Sequence, residues 1–129
     1  MYEPILSGTS VLLLEDDALI NLNTADMMAD MGCVVRPFYN LHEAMANAAE
    51  RLPDVAVLDV KIEQQMSYHF AEWLHDRRVP IVFLTGYDTS SLQEKWRQHP
   101  KCLKPCDAAE LRELLIAALT AGRDGKLAS

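Results

Sequence analysis

The sequence predicts an α/β fold in which helices cover both faces of a parallel sheet. Short apolar runs alternate with longer segments of helical pattern, and the runs are apolar throughout. The run at 11–14 (Val-Leu-Leu-Leu) ends on acidic residues, and the run at 55–58 (Val-Ala-Val-Leu) ends on Asp59. Strands that are buried on both faces have this continuous apolar pattern. Strands that alternate with helices form parallel sheets.

Five strands are predicted in order along the chain. They lie at 11–14, 33–38, 55–59, 81–84 and 102–103. Right-handed crossovers between them give a doubly wound sheet. We expect the flavodoxin-like strand order 2-1-3-4-5, in which the first and third strands are neighbours.

Five helices are predicted to follow these strands. Asp17, Asn40 and Asp107 are suited to cap the first, second and last helices. Ile20, Thr24, Met27 and Met31 are expected on the buried face of the first helix, which should end at Gly32. Phe70, Trp73 and Leu74 mark the third. The fourth, from about 88 to 97, is polar with Leu92 and Trp96 as apolar anchors, and both tryptophans are interpreted as packing residues.

Length and charge limit the functional classes. The 129 residues fit one domain, 1–129, with a core at about 9–121 and short tails. A net charge of −7 argues against direct contact with nucleic acid, since phosphate binding needs a basic surface. The start lacks the pattern of a signal peptide, and no apolar run is long enough for membrane insertion. We therefore expect a cytoplasmic protein.

The cysteines and histidines show no metal-ligand spacing. Cys33, Cys102 and Cys106 are odd in number and form no C-x-x-C motif, so reduced thiols are expected. The four histidines are scattered and are expected at the surface.

Polar side chains follow four of the predicted strands. They are Glu15 and Asp16 after the first strand, Asp59 after the third, Thr85 after the fourth and Lys104 after the fifth. In the predicted strand order all of them lie at one edge of the sheet. Carboxylates brought together repel one another unless a cation lies among them, and oxygen ligands suit Mg²⁺. The hydroxyl and the amine could then bind a phosphoryl group, with Asp59 as its acceptor.

Each of these residues also has an ordinary structural interpretation. Asp59 alone could be a turn residue, and the acidic residues after the first strand could be a solvated loop. Asp17 is better explained as a helix cap than as a metal ligand. Thr85 could be a strand-end hydroxyl and Lys104 a surface lysine. The shared position at four strand ends favours the site.

Four short segments resemble the signature of response-regulator receiver (CheY-like) domains. They are 14–17 (Leu-Glu-Asp-Asp), 58–59 (Leu-Asp), 84–86 (Leu-Thr-Gly) and 104–105 (Lys-Pro). The resemblance covers nearly the whole chain. It implies a stand-alone phosphoacceptor of two-component signal transduction, which takes a phosphoryl group from a sensor histidine kinase.

The resemblance also implies a role for each site residue. Asp59 would be phosphorylated, Asp16 and Asp59 would ligate Mg²⁺ with the main-chain carbonyl of Lys61, and Glu15 would hold a coordinated water. Such a protein catalyses only its own phosphorylation and dephosphorylation, so it is not counted as an enzyme.

Further implications concern the opposite side of the site. Thr85 and Lys104 would contact the phosphoryl oxygens, and the peptide bond between Lys104 and Pro105 would be cis.

The stretch 80–87 resembles a narrower group, the FAT GUY receivers, which often partner histidine kinases of the HWE type. Leu84 stands where the nickname of that group has alanine. Most receivers carry an aromatic switch residue three positions before the lysine, and here that position is Lys101. Tyr87 is a hypothetical substitute for this switch residue because it lies two positions after Thr85.

Several outputs are compatible with these features. The phosphorylated protein could switch a protein–protein contact or hand the phosphoryl group to a phosphotransfer protein. Alternatives are a receiver-like interaction module that works without phosphorylation, or a phosphate sink for a shared kinase. A phosphohydrolase of similar fold is disfavoured because Lys61 stands where such enzymes carry a second acid.

Overall fold

A parallel sheet of five strands forms the centre of the computed structural model, which describes residues 4–86 and 92–123. A small antiparallel hairpin accompanies it. The strands are β1 (Ser10–Leu14), β2 (Val34–Phe38), β3 (Val55–Asp59), β4 (Lys61–Ile62), β5 (Gln65–Met66), β6 (Ile81–Thr85) and β7 (Lys101–Leu103). The sheet order is β2-β1-β3-β6-β7. Without the hairpin strands this is the order 2-1-3-4-5, so the flavodoxin-like fold is confirmed.

Four α-helices connect and follow the strands in the described part of the chain. They are α1 (Ala18–Asp30), α2 (Leu41–Glu50), α3 (Tyr68–Asp76) and α4 (Ala108–Arg123). The predicted caps are confirmed. The Asp17 carboxylate accepts the Ile20 N–H at 2.9 Å, and the Asn40 side chain accepts the Glu43 N–H at 2.9 Å. At the start of α4, Asp107 accepts two main-chain N–H groups. None of the described helices is long and apolar enough to span a bilayer.

The described part of the predicted fourth helix does not form an α-helix. Residues 87–91 lie outside the described ranges, and in the remainder only Glu94–Trp96 is helical, as one 3₁₀ turn. Leu92 and Trp96 are buried as expected, with 2% and 1% exposure. Two anchors on an otherwise polar segment hold one turn against the core, which is not enough apolar surface to support a longer helix. The prediction of a regular helix over the described residues of this segment was wrong.

The hydrophobic core lies in two layers, one on each face of the sheet. Leu12 and Leu14 belong to one layer, whereas Val11 and Leu13 belong to the other. This alternation follows from the strand geometry, which directs successive side chains to opposite faces. Every residue of β3 is buried, as expected for a central strand.

The buried face of α1 matches the expected one in part, since Thr24 and Met31 are buried whereas Ile20 and Met27 are half-buried. Asn21, Thr24 and Met28 are its buried residues. The Asn21 amide donates to the main-chain carbonyls of Glu15 and Phe38, at 2.9 and 3.0 Å. A buried polar group needs such partners, and these bonds tie the helix to the ends of β1 and β2. Hydrophobic periodicity could not find the part of this face that Asn21 forms, because its side chain is a polar amide.

The expected loop after β3 is a hairpin. β4 and β5 pair antiparallel, with Lys61 opposite Met66. Glu63 lies at its tip with a positive φ of 56°. The hairpin leads into Ser67, whose hydroxyl donates to the carbonyl of Asp59 at 2.7 Å. The turn is therefore fixed against the end of β3.

The expectation of reduced thiols is wrong for two of the three cysteines. Cys102 and Cys106 form a disulfide bond, whereas Cys33 is a free and buried thiol. Their C-x-x-x-C spacing brings the two sulfurs together because the chain turns between β7 and α4. The histidines also differ in part, since His75 and His99 are half-buried beside Trp96 instead of lying at the surface.

Candidate functional site

The structure places the predicted site residues at the carboxyl edge of the sheet. Glu15 and Asp16 directly follow β1, while Asp59 and Thr85 are the last residues of β3 and β6. Lys104 directly follows β7, and its main-chain N–H donates to the carbonyl of Thr85 at 2.8 Å. Because these strands are parallel, all five residues come to the same end of the sheet.

Three acids converge at this edge. Carboxylate oxygens of Glu15, Asp16 and Asp59 lie within 4.8 Å of one another. Glu15 is fully buried and Asp59 is 4% exposed, whereas Asp16 is exposed to solvent. Hard oxygen ligands with one open side match the way Mg²⁺ is held, through one or two carboxylates and several waters. The residues present therefore fit this ion.

Lys104 lies opposite the acids. Its Nζ atom is 2.9 Å from Oε1 of Glu15 and 2.9 Å from Oδ2 of Asp59. One ammonium group thus pairs with two carboxylates, and Asp16 brings a third acid to the same pocket. Burial alone would lower the pKa of Lys104, but the hydrogen bonds to Asp59 and Glu15 outweigh it and raise the pKa. The amine is a stable cation at this position.

Burial dominates the electrostatics of the two inner acids. It raises the pKa of Glu15 to about 7, although the Asp17 N–H and Lys104 both stabilise the charged form. It also raises the pKa of Asp59, and the charge of Asp16 adds to that shift while Lys104 opposes it. Carboxylates that are desolvated and close together are costly without a further cation. The pocket is therefore suited to bind one.

Main-chain groups hold the acids in place. The Asp17 N–H donates to Oε2 of Glu15 at 2.9 Å, and the Glu63 N–H donates to Oδ2 of Asp16 at 2.8 Å. The Ser67 hydroxyl binds the Asp59 carbonyl. The contacts of Glu63 and Ser67 could not be predicted from the sequence, because they depend on the hairpin fold and no motif marks them.

The remaining predicted positions lie around the pocket. Lys61 begins the hairpin and is exposed, and the role of its carbonyl as a ligand stays a prediction. Thr85 is 5% exposed. The Lys104–Pro105 peptide bond is cis, as the resemblance implied.

The structure describes one of the two residues that are candidates for the switch. Tyr87 lies outside the described residues. Lys101 is half-buried in β7, and its amine donates to the main-chain carbonyls of Arg97 and His99.

Fold and pocket together define a flavodoxin-like domain with an acidic cation site at the carboxyl end of its sheet. The family model described as the response regulator receiver domain matches residues 11–116. The chain belongs to this family, whose members serve two-component systems.

Curated relatives agree with this assignment. The transcriptional regulatory protein PdtaR of Mycobacterium tuberculosis is 33% identical over 89 residues, which are 67% of this chain and 43% of PdtaR. The photosynthetic apparatus regulatory protein RegA of Cereibacter sphaeroides is 33% identical over 113 residues, 84% of this chain and 61% of RegA. The chain therefore spans less than two thirds of either relative.

Solved structures show the same fold. The solution structure of SdrG from Sphingomonas melonis has a TM-score of 0.74 at 30% identity and covers 87% of this chain and 97% of SdrG. A CheY-like receiver domain from Methanospirillum hungatei has a TM-score of 0.80 at 20% identity, with 92% and 99% coverage. The second likeness supports the fold alone.

Family membership gives the site a general role. Receiver domains are generally signal transducers and not enzymes, and they interact with histidine kinases and effectors. They bind Mg²⁺ through an acidic pocket, and Glu15, Asp16 and Asp59 form such a pocket in this chain.

Proposed function

We propose that Asp59 accepts a phosphoryl group from a phosphohistidine of a sensor histidine kinase. The contact that supports this most directly is the double ion pair of Lys104, at 2.9 Å from both Asp59 and Glu15. It places a fixed cation beside a carboxylate at a strand end, where an incoming phosphoryl group would need charge neutralisation.

The chemistry is a phosphoryl transfer between two nucleophiles. A carboxylate oxygen of Asp59 forms the new bond to phosphorus, while the bond from phosphorus to the histidine nitrogen breaks and its electron pair stays on the imidazole. Lys104 already contacts Asp59, so it can follow the negative charge onto the phosphoryl oxygens. Thr85 ends the neighbouring strand β6 and would donate its hydroxyl to another phosphoryl oxygen.

Four residues would hold Mg²⁺ in this proposal. Asp16 and Asp59 ligate it through carboxylates, Lys61 through its main-chain carbonyl, and Glu15 through a water molecule. When bound, Mg²⁺ neutralises charge on the transferring group. Asp16 is oriented for this role by the Glu63 N–H.

The partners belong to the same proposal. We place the chain with the FAT GUY receivers and with a kinase of the HWE type, because of the stretch 80–87, and we place the exchange in the cytoplasm. Phosphorylation would then switch a protein contact or pass the group to a phosphotransfer protein. Lys101, in place of the usual aromatic ring, and Tyr87 are the positions where this switch would differ from other receivers.

Incubation with acetyl phosphate and Mg²⁺, followed by intact-mass measurement, tests the proposal. We expect the mass of one added phosphoryl group on the wild type and none on Asp59→Asn. Asp54→Asn is the matched control, because Asp54 lies at the opposite end of β3 and accepts the Ser10 N–H at 2.8 Å. It should be phosphorylated like the wild type.

Two results together would contradict phosphorylation at Asp59. If the wild type gains no mass and beryllofluoride with Mg²⁺ leaves its tryptophan fluorescence identical to that of Asp59→Asn, the proposal is wrong. The chain would then be an interaction module that keeps the receiver fold without its phosphorylation. Chelation of Mg²⁺ should abolish the reaction in the wild type and in Asp54→Asn alike.

A further inference from the structure

A disulfide bond encloses the lysine of the site. Cys102 lies in β7 and is fully buried, Cys106 is half-buried just before α4, and their Cα atoms are 5.8 Å apart. The bridge closes a short ring around Leu103, Lys104 and Pro105. Leu103 is 51% exposed, so solvent reaches this turn.

The ring fixes the backbone from which Lys104 extends. On one side it is anchored in the core by Cys102, and on the other side it adjoins Asp107, which caps α4. The Lys104 N–H is also bonded to the Thr85 carbonyl at 2.8 Å. A covalent link across so short a turn reduces the number of conformations that the turn can adopt. Opening it should therefore loosen the lysine.

We propose that Cys102 and Cys106 form a reversible thiol–disulfide site that sets how firmly Lys104 is held against Glu15 and Asp59. The reactant is a dithiol, either a small molecule or a protein with a paired-cysteine motif. This inference depends on the ion pairs of Lys104 and does not require phosphoryl transfer.

The exchange proceeds in two balanced steps. A thiolate of the dithiol attacks Sγ of Cys106, because Cys106 is the more accessible of the two, and the bond to Cys102 breaks. Cys102 leaves as a thiolate and takes up a proton. The second thiol of the dithiol then attacks the mixed disulfide and releases Cys106. Two electrons and two protons have passed to the protein, and the dithiol has become a disulfide.

The third cysteine provides an internal control. Cys33 is buried, and burial raises the pKa of its thiol to about 11, so little reactive thiolate forms there. It has no part in the bridge.

The first test counts thiols. The protein is treated with oxidised or reduced dithiothreitol, denatured without further reductant, alkylated with iodoacetamide and weighed. We expect one alkylated cysteine, Cys33, after oxidation and all three after reduction. Three alkylated cysteines under both conditions overturn the proposal. A zinc ion held by Cys102 and Cys106 of the reduced protein, in place of the disulfide, also overturns it.

The second test measures the hold on Lys104 directly. Brief acetylation with N-hydroxysuccinimidyl acetate, followed by peptide mass spectrometry, reports the accessibility of each amine. We expect Lys104 to react several-fold faster in the reduced protein. Lys95 should react equally in both states, because it pairs at 2.7 Å with Glu72 of α3 on the exposed surface. Equal rates for Lys104 overturn the proposal.

Two variants distinguish the effect of losing the disulfide from the effect of unfolding the protein. Cys106→Ser replaces the half-buried partner and leaves the buried Cys102 in the core, so the fold should persist. Its Lys104 should react fast under both conditions, whereas Cys33→Ser should keep the difference seen in the wild type. Neither readout uses a phosphoryl donor, so failure of the phosphorylation assay and failure of this site can be told apart.

Discussion

Among single residues, Lys104 carries the largest electrostatic role. Its amine is the cation that contacts two acids whose own pKa values are raised by burial. Removing one partner of a buried ion pair is costly mainly because the other charge stays behind. Glu15 and Asp59 can escape part of this cost by taking up a proton. The loss of stability should therefore depend on pH.

We predict that Lys104→Met lowers the free energy of unfolding in Mg²⁺-free buffer by up to about 3 kcal/mol, the lower end for a broken buried pair. Burial raises the pKa of Glu15 to about 7 in the wild type although Lys104 lowers it, so this pKa should be higher still in the variant. The full loss should appear above that higher pKa, where Glu15 is charged in both proteins. It should shrink as the pH falls towards 7, because the variant takes up the proton before the wild type does. Urea unfolding at several pH values measures it.

The exposed pair of Lys95 and Glu72 supplies the control for this variant. Lys95→Met should leave the free energy of unfolding nearly unchanged at every pH, because water screens exposed pairs. A loss in Lys104→Met that is equally small, or that does not vary with pH, would contradict the role assigned to Lys104.

At the level of elements, a lysine side chain of the neighbouring strand β7 helps to hold the segment around the 3₁₀ turn. The Lys101 amine donates to the carbonyls of Arg97 and His99. The His99 ring packs on Trp96, with ring centroids 4.8 Å apart, and Trp96 packs on Phe83 in β6. Lys101 thus binds the main chain of this short turn, and the turn packs on the core through Trp96.

We predict that Lys101→Met speeds amide hydrogen exchange in residues 94–99 about fivefold, equivalent to about 1 kcal/mol for the lost hydrogen bonds. Exchange in α2 should stay unchanged, because the lysine does not reach it. Lys61→Met, at an exposed position in the hairpin, is the matched control and should leave residues 94–99 unaffected. Identical exchange in the wild type and in Lys101→Met would show that the lysine does not hold this turn.

How closely the bounds of each strand could be predicted depended on whether burial makes its sequence apolar. β3 was predicted with its bounds, and β1 and β6 to within a residue, because buried parallel strands are continuously apolar. β7 was predicted one residue short, since Lys101 joins it through backbone pairing despite its charge. The hairpin was missed because its residues are mostly polar.

The site shows the same division. The common position of Glu15, Asp16, Asp59, Thr85 and Lys104 could be predicted, because strand order alone brings these strand ends together. What could not be predicted depends on how the turns fold. The backbone contacts that orient the acids and the disulfide around the lysine are of this kind, because no local pattern encodes them.

For the whole molecule, ion binding and folding are linked. Among the residues that the structure describes, three acids lie together and one lysine contacts two of them, so the pocket is unfavourable without a further cation and a bound cation should stabilise the native state. We predict that Mg²⁺ at ten times its Kd raises the free energy of unfolding by about 1.4 kcal/mol. Thermal or urea unfolding with and without the ion measures this gain.

Two variants test whether Mg²⁺ stabilises the protein by binding at the acidic pocket. Asp16→Asn removes the exposed acid of the pocket and should abolish most of the gain, whereas Asp54→Asn, at the other end of the sheet, should retain it. Stabilisation by Mg²⁺ that is equal in both variants would place the ion elsewhere on the molecule.

The two outer strands of the described sheet determine how other proteins can approach it. On one side, β2 contains Pro37, which has no N–H to offer, and Arg36, whose guanidinium binds the side chains of Asn47 and Ser10. On the other side, β7 is only three residues long. Short strands, proline and charge all discourage the addition of a further strand. Strand addition by a partner is therefore disfavoured at both outer strands of the described sheet, which leaves the helices and turns as the favoured binding surfaces.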